Sequence, residues 1–151
     1  MRDGNFRASV AVEADGAVAE AAMLLEEIRE RGARLVGGLA QVRRQIGTEG
    51  DLRERLPTGD MKGSWAAAVE DANGVIGKLT EVMTGMAQVV EAVAAGDLGQ
   101  RVELRVQGRP MRGELLRMAR SVNHMVEQLD HFTWEVTQVA REVGTEGHLG
   151  G

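Results

Sequence analysis

Histidine and serine side chains are the first places to look for chemistry in this sequence of 151 residues, because it has no cysteine. His131 follows Glu127 on a predicted helix and is the one candidate for a phosphoryl acceptor. Its surroundings, Leu129–Thr133, lack the H-E-x-x-x-P pattern of phosphoaccepting histidines. His124 lies seven residues before His131, and the two helical turns between them argue against a shared metal ion.

The remaining candidates give no catalytic arrangement either. Ser64 is better explained as a helix N-cap, and no serine stands in a nucleophile–base pattern. Gly147–Gly151 follows no strand and precedes no lysine, so it does not fit a phosphate loop. We predict no catalytic residue, no metal site and no cofactor.

Composition excludes several classes of protein. The absence of cysteine excludes disulfides and cysteine-ligated metals, and it fits a reducing, cytoplasmic location. A net charge of −5 argues against a nucleic-acid partner. The weakly charged stretch Val82–Ala95 is too short to span a bilayer. Aromatic residues are only 3% of the chain, so a thick globular core is not expected.

Apolar residues spaced alternately by three and four define the elements that would carry any function. One ladder comprises Trp65, Ala68, Ala72, Val75, Leu79, Val82, Met86, Val89 and Val93. A second, 50 residues further along, comprises Leu115, Met118, Val122, Met125, Leu129, Phe132, Val136, Val139 and Val143. A weaker third comprises Val18, Ala21, Leu25, Ile28, Gly32, Leu35, Leu39, Val42 and Ile46. A mean spacing of 3.5 residues is typical of coiled coils, so we predict long helices near Ala17–Gly47, Ser64–Gly96 and Glu114–Gly144.

Glycine, proline and aspartate interrupt these helices at residues 47–60 and 96–113. The second interruption keeps the apolar residues Leu98, Val102 and Val106, which we expect to anchor it as a packed connector. A connector that returns along the bundle makes the two flanking helices parallel. Asp3–Gly16 and Gly144–Leu149 are expected to be further connector-like segments, which would leave an incomplete unit at each end of a fragment.

Three segments resemble HAMP domains. Val89–Leu98 resembles the end of a HAMP first helix with its Gly-Asp-Leu exit, and Gly113–Met125 resembles the opening of the second helix. Val139–Gly147 is similar to the repeat of group III hybrid sensor histidine kinases, whose HAMP domains form tandem poly-HAMP arrays. The resemblance extends from Leu35 to Gly151 and is weaker before it. Gly63-Ser64-Trp65 in place of Gly113-Glu114-Leu115 indicates two alternating types of unit.

The resemblance implies an all-α fold, a parallel homodimeric four-helix coiled coil of stacked helix–connector–helix units. We place HAMP units at residues 35–81 and 82–131. Residues 1–34 would be a partial unit with a connector and second helix, and residues 132–151 the first helix and exit of another. The residues of the first and second ladders would form the dimer seam, with Glu114 fixing the connector to the second helix.

The function this implies is relay of a conformational signal from a sensor input to a histidine kinase or chemoreceptor-like output in two-component phosphorelay signalling. The partners would be a second copy, adjoining HAMP units and the output domain, in a parent that could be membrane-attached. Leu79, Val82, Met86 and Val89 are the expected coupling residues. The alternative is a static dimeric coiled-coil spacer. Gly32, on the third ladder, fits either a bundle that repacks or simple close helix approach.

Overall fold

Three long helices make up most of the structure, a computed structural model that describes residues 2–149 and the side chains of residues 13–145. The elements are α1 Arg2–Arg44, a π-helical turn Gln45–Glu49, α2 Ser64–Ala94, β1 Arg105–Val106, β2 Arg109–Pro110 and α3 Gly113–Leu149. The predicted helical fold is confirmed. The short antiparallel hairpin β1–β2 was not predicted.

Two expected connectors are helical instead. Asp3–Gly16 lies within α1, and Gly144–Leu149 lies within α3. An isolated glycine costs a helix only about 1 kcal/mol, which flanking alanine, glutamate and arginine residues offset. The two segments that do break the helix each contain a proline, Pro57 or Pro110, whose missing N–H and fixed φ are far more disruptive.

Residues 13–30 of α1 have exposed side chains throughout. Ion pairs one turn apart support this part of the helix, including Arg29 with Glu26 at 2.5 Å and Arg31 with Glu27. The guanidinium of Arg29 lowers the pKa of the exposed Glu26 carboxyl by hydrogen bonding to it. Leu25 and Ile28 on the same segment are also exposed, so its apolar stripe is uncovered in the single chain.

The chain divides into two units, residues 1–76 and 77–151. In the first unit, α1 and the beginning of α2 enclose a small core with the connector between them. Its buried residues are Val42, Leu56, Met61 and Val69, and Leu35, Ile46, Trp65, Ala66, Ala72 and Ile76 pack against them.

The second unit has a core of the same kind, made by the rest of α2, its connector and α3. Its buried residues are Val82, Val89, Val102, Met111, Ala119 and Val126. Ala119 and Val126 are completely inaccessible and lie seven residues apart, so one narrow stripe of α3 faces the core.

The two units repeat each other, and the offset between equivalent residues changes twice along the sequence. Gly38–Val42 (GLAQV) precedes Gly85–Val89 (GMAQV) by 47 residues, whereas the two Gly-Asp-Leu turns beginning at Gly50 and Gly96 are 46 apart. After the connector the offset is 50, as between buried Val69 and Ala119. The first unit therefore has one more residue before its turn, and the second has four more in its connector.

The hairpin accounts for the four additional residues. The Met61 amide donates to the Thr58 carbonyl at 3.3 Å, and the equivalent Met111 amide donates to the Leu104 carbonyl at 2.9 Å. β1, its turn and β2 fill the longer interval. The hairpin is inserted between Leu104 and Met111, and the hydrogen bond that joins these two residues is the same as in the shorter connector.

Gln107 and Gly108 form the hairpin turn, and both have positive φ, 50° and 73°. This is the pattern of a two-residue type I′ turn, which matches the twist of the strands. The Gln107 amide also donates to Glu81 Oε1 at 3.2 Å, so the tip of the hairpin is attached to α2.

We predict opposite effects of alanine at the equivalent glycines Gly38 and Gly85. A Cβ at Gly38 would lie 3.0 Å from Pro57 Cδ and 3.1 Å from Leu56 Cδ2, whereas one at Gly85 would meet nothing within 4 Å. Gly85→Ala is expected to raise the free energy of unfolding by about 0.5–1 kcal/mol through helix propensity. Gly38→Ala should lower it, because overpacking costs about 1–3 kcal/mol.

Chemical denaturation of the two variants measures this difference, and each variant serves as the control for the other. Equal stabilisation by both would contradict the close packing of the connector against α1.

Candidate functional site

An asparagine on each second helix holds the connector of its unit. The Leu56 amide donates to Asn73 Oδ1 at 2.8 Å, and Asn73 Nδ2 donates to the Leu56 carbonyl at 3.0 Å. In the second unit Asn123 forms the same two bonds with Val102, at 2.6 and 3.0 Å. We call this pair of bonds the asparagine clasp.

The clasp supplies hydrogen-bond partners to backbone groups that are buried in an extended segment. Leu56 and Val102 are buried, and their backbone amide and carbonyl groups have no neighbouring strand to pair with in the described structure. An unpaired buried backbone group costs about 1–3 kcal/mol. A carboxamide has both a donor and an acceptor, so one Asn side chain satisfies both groups.

An aspartate shapes the turn where each connector begins. The Gly99 amide donates to Asp97 Oδ1 at 2.9 Å and Gln100 Nε2 donates to Oδ2 at 3.2 Å, and these bonds lower the pKa of Asp97. Asp51 takes the same place in the first unit. There the side chain of Arg53, and then its amide, lower the pKa of Asp51.

An arginine reinforces each turn from the next residues. The guanidinium of Arg55 donates to the carbonyls of Leu52 and Glu54 at 2.7 and 2.8 Å. Arg101 donates to the equivalent carbonyls, those of Leu98 and Gln100, at 2.7 and 2.8 Å. The connector is therefore held by a turn at its start and by the clasp shortly after.

The predicted ladder residues divide into two groups on α2. Val82 and Val89 are buried in the core of the second unit, where Met86 and Val93 pack against them, and Trp65 and Ala72 pack on the first core. Val75 and Leu79 are 58% and 44% exposed, and Ala68 is also exposed. The helix thus buries one stripe within the chain and leaves an adjacent apolar stripe uncovered.

The ladder of α3 shows the same division. Leu115 and Val122 pack against the second core. The exposed members are Met118, Met125, Leu129, Phe132, Val136, Val139 and Val143. Beyond Val126 no side chain of α3 in the described range is buried, so this part of the helix has an unpartnered apolar face.

Three of the four proposed connector residues belong to the second core, whereas Glu114 lies at the surface. Val102 is buried, and Leu98 and Val106 pack against the same core. Glu114 is exposed and pairs with Arg117, one turn along its own helix, instead of with the connector. The carboxylate at the start of α3 complements the helix dipole there. Asn123, and not Glu114, fixes the connector to α3, through its two bonds to Val102.

Sequence reasoning assigned no role to several of the residues that hold each unit together, among them the two clasp asparagines. Val69, Ala119 and Val126 are the most buried side chains, and each lies one position after a ladder residue. The 50-residue repeat places Asn73 and Asn123 in register, and this was the signal that could have identified the clasp.

The histidine candidates are surface groups. His131 Nε2 lies 3.1 Å from Glu135 Oε1, and the His131 ring stacks on Trp134 with centroids 6.5 Å apart. His124 is exposed on α3, and His148 lies outside the range of described side chains. Within the described residues, no three potential ligands gather around a point where a metal ion could bind.

One comparison with known protein families matches a segment of the second unit. Residues 83–131 match the HAMP domain family, whose members are non-catalytic signal-relay modules of sensor kinases and chemoreceptors. The matched segment contains most of the second core, its connector and the Asn123 clasp. No solved structure matches the chain significantly. None of the described helices is both long and apolar enough to cross a membrane.

We predict that Asn123→Ala lowers the free energy of unfolding by about 1–3 kcal/mol, because it leaves the amide and carbonyl of Val102 without partners. Asn73→Ala should have a similar effect through Leu56. Thermal denaturation and hydrogen exchange of the Val102 amide measure the two consequences. Gln128→Ala, an exposed change on the same helix, is the control. An unaltered exchange rate at Val102 in Asn123→Ala would refute the clasp.

The lowered pKa of Asp97 predicts an acid-sensitive turn. A carboxylate whose pKa falls on folding stabilises the fold fully above its ordinary pKa of about 3.9, and this contribution is lost as pH falls through the lowered value. The Gly99 amide resonance should therefore titrate with a midpoint below that of an unfolded aspartate, with no change between pH 5 and 8. Loss of the transition in Asp97→Asn is the control, and a midpoint at or above 3.9 would contradict the assignment.

Proposed function

We propose that this chain relays conformational signals through two consecutive HAMP units, residues 35–81 and 82–131, within a dimeric sensor protein. The observation that carries the proposal is the match of residues 83–131 to the HAMP family, together with the recurrence of the same connector geometry in the first unit. Residues before 35 and after 131 would belong to neighbouring units of the same array.

The case for a HAMP unit at residues 35–81 rests on geometry. It has the same Gly-Asp-Leu turn, the same arginine contacts with the following carbonyls and the same asparagine clasp as the matched unit. Its buried residues occupy equivalent positions, with Met61 and Val69 in place of Met111 and Ala119. These features depend on one another, so their joint recurrence favours a common fold for both.

A parallel homodimer would cover the apolar stripes that the single chain exposes. Leu79, Met118 and Met125 are between 41% and 50% exposed, although they lie beside buried residues of the same helices. A stripe next to a helix's intrachain contact is where a third and fourth helix pack in a four-helix bundle. The dimer seam would thus consist of the exposed ladder residues, with Val82 and Val89 supporting it from within each chain.

The relay would act through α2. This helix supplies Val69 to the first core and Val82 and Val89 to the second. Since packed helices move as rigid bodies between discrete arrangements, a change in one bundle would be communicated along α2. The output we propose is a histidine kinase or chemoreceptor-like domain of a two-component system, in a cytoplasmic part of the parent protein.

Cysteine crosslinking tests the dimer in this cysteine-free chain. Leu79→Cys and Met125→Cys should each give disulfide-linked dimers at least about ten times faster than Thr84→Cys, because facing seam residues have a high effective concentration. Thr84 is exposed and lies away from the ladder. A monomer in solution, or equal rates at all three positions, would refute the parallel bundle.

The same assay separates a relay from a static spacer. Asn73→Ala releases the connector of the first unit, and a relay predicts that it changes the Met125→Cys crosslinking rate in the second unit several-fold. Glu70→Ala, an exposed change in the same unit, is the matched control. An unchanged rate in a dimer that remains folded would favour the spacer.

A further inference from the structure

One turn of π-helix ends α1, and the equivalent place in the second unit is a regular helix end. There, the Asp97 amide donates to the Ala92 carbonyl at 2.8 Å, and the Gly96 amide donates to the Val93 carbonyl at 2.9 Å. Gly96 has a φ of 89°, so this end is a Schellman cap.

The first unit closes the same cap around a longer loop. The Asp51 amide donates to the Gln45 carbonyl at 2.9 Å, and Gly50, with a φ of 72°, donates to the same carbonyl. The bond of Asp51 reaches back six residues, whereas that of Asp97 reaches back five. The additional residue of the first unit therefore lies inside the π-turn.

The positions on both sides of the π-turn keep their roles. Val42 is buried as Val89 is, and Asp51 caps its turn as Asp97 does. Yet Asp51 comes nine positions after Val42, whereas Asp97 comes eight positions after Val89. Ile46, within the turn, still packs on the first core. The π-turn takes up the additional residue without moving either end.

The amino-acid composition of the π-turn agrees with its position at the end of α1. The first unit has Gly47 and Thr48 before its cap, two residues of low helix propensity, where the second has Ala94 and Ala95. An added residue in a regular helix would turn everything before it by about 100° relative to the cap. Such a rotation would take Val42 and Leu35 out of the core.

We propose that the π-turn Gln45–Glu49 is a phase-setting device, which holds α1 in the rotation that its packing requires despite one surplus residue. If the turn converted to α-helix with the cap in place, α1 would rotate by about 100° and present a different stripe. Building on the proposed function, this makes the turn the point, within the first HAMP unit, where the rotation of α1 relative to its connector is set.

Single-residue deletions test directly whether the π-turn sets the rotation of α1 about its axis. Deleting Thr48 places Asp51 eight positions after Val42, as Asp97 is after Val89, so the variant should fold with a regular helix end and an unchanged or higher Tm. Deleting Ala94 is the matched control, because it removes a residue from a helix that has no surplus. That variant should lose the packing of Val89 and melt at a distinctly lower temperature.

Hydrogen exchange supplies the second measurement. Deletion of Thr48 should slow exchange of the Asp51 amide at least about tenfold, since a regular Schellman cap replaces the wider loop. The inference would be overturned if the Thr48 deletion variant did not fold, or if the two deletions lowered the Tm equally. The readouts are intrinsic to each unit, so failure here with normal crosslinking at Leu79→Cys would leave the proposed dimer intact. Success here without crosslinking would refute the dimer alone.

Discussion

The need to satisfy buried backbone groups in a segment with no strand partner is the constraint on which the rest of the structure depends. A connector that returns between two helices must bury Leu56 or Val102 to complete the core. Each time, a single carboxamide pairs with both backbone groups of that residue. Since the clasp fixes the connector relative to the second helix, it also fixes which stripe of each helix is covered within the chain and which stays exposed.

The two units show how this arrangement tolerates changes in length. A surplus residue before the cap is contained in the π-turn, and four additional residues after the clasp are contained in the β1–β2 hairpin. In both places, hydrogen-bonded ends hold their positions while the chain between them lengthens. The register of the buried stripe, from Val69 to Ile76 and from Ala119 to Val126, is therefore identical in the two units.

Helix periodicity and the positions of proline were enough to predict three helices and two connectors from the sequence. Periodicity could not show that the covered stripe of α3 lies at Ala119 and Val126, because Met118 and Met125 one position earlier are larger and equally apolar. The glycines Gly4 and Gly16 were expected to break the helix, but both lie within α1. The 50-residue repeat aligns Asn73 with Asn123, but the role of an asparagine on a helix becomes evident only when the path of its connector is known. The π-turn is visible only when the two Gly-Asp-Leu turns are compared in register.

The clasp has a consequence for how such a sequence can vary. Asn73 and Asn123 bond only main-chain atoms of the connector, so they place few demands on the side chains that lie between the cap and the following helix. What must be preserved is a backbone path of the right length up to Leu56 or Val102. Beyond that point the two connectors differ in length, and the longer one contains the hairpin with its contact to Glu81. The connector is thus a place where two otherwise equivalent units can differ in surface while their core residues keep equivalent positions.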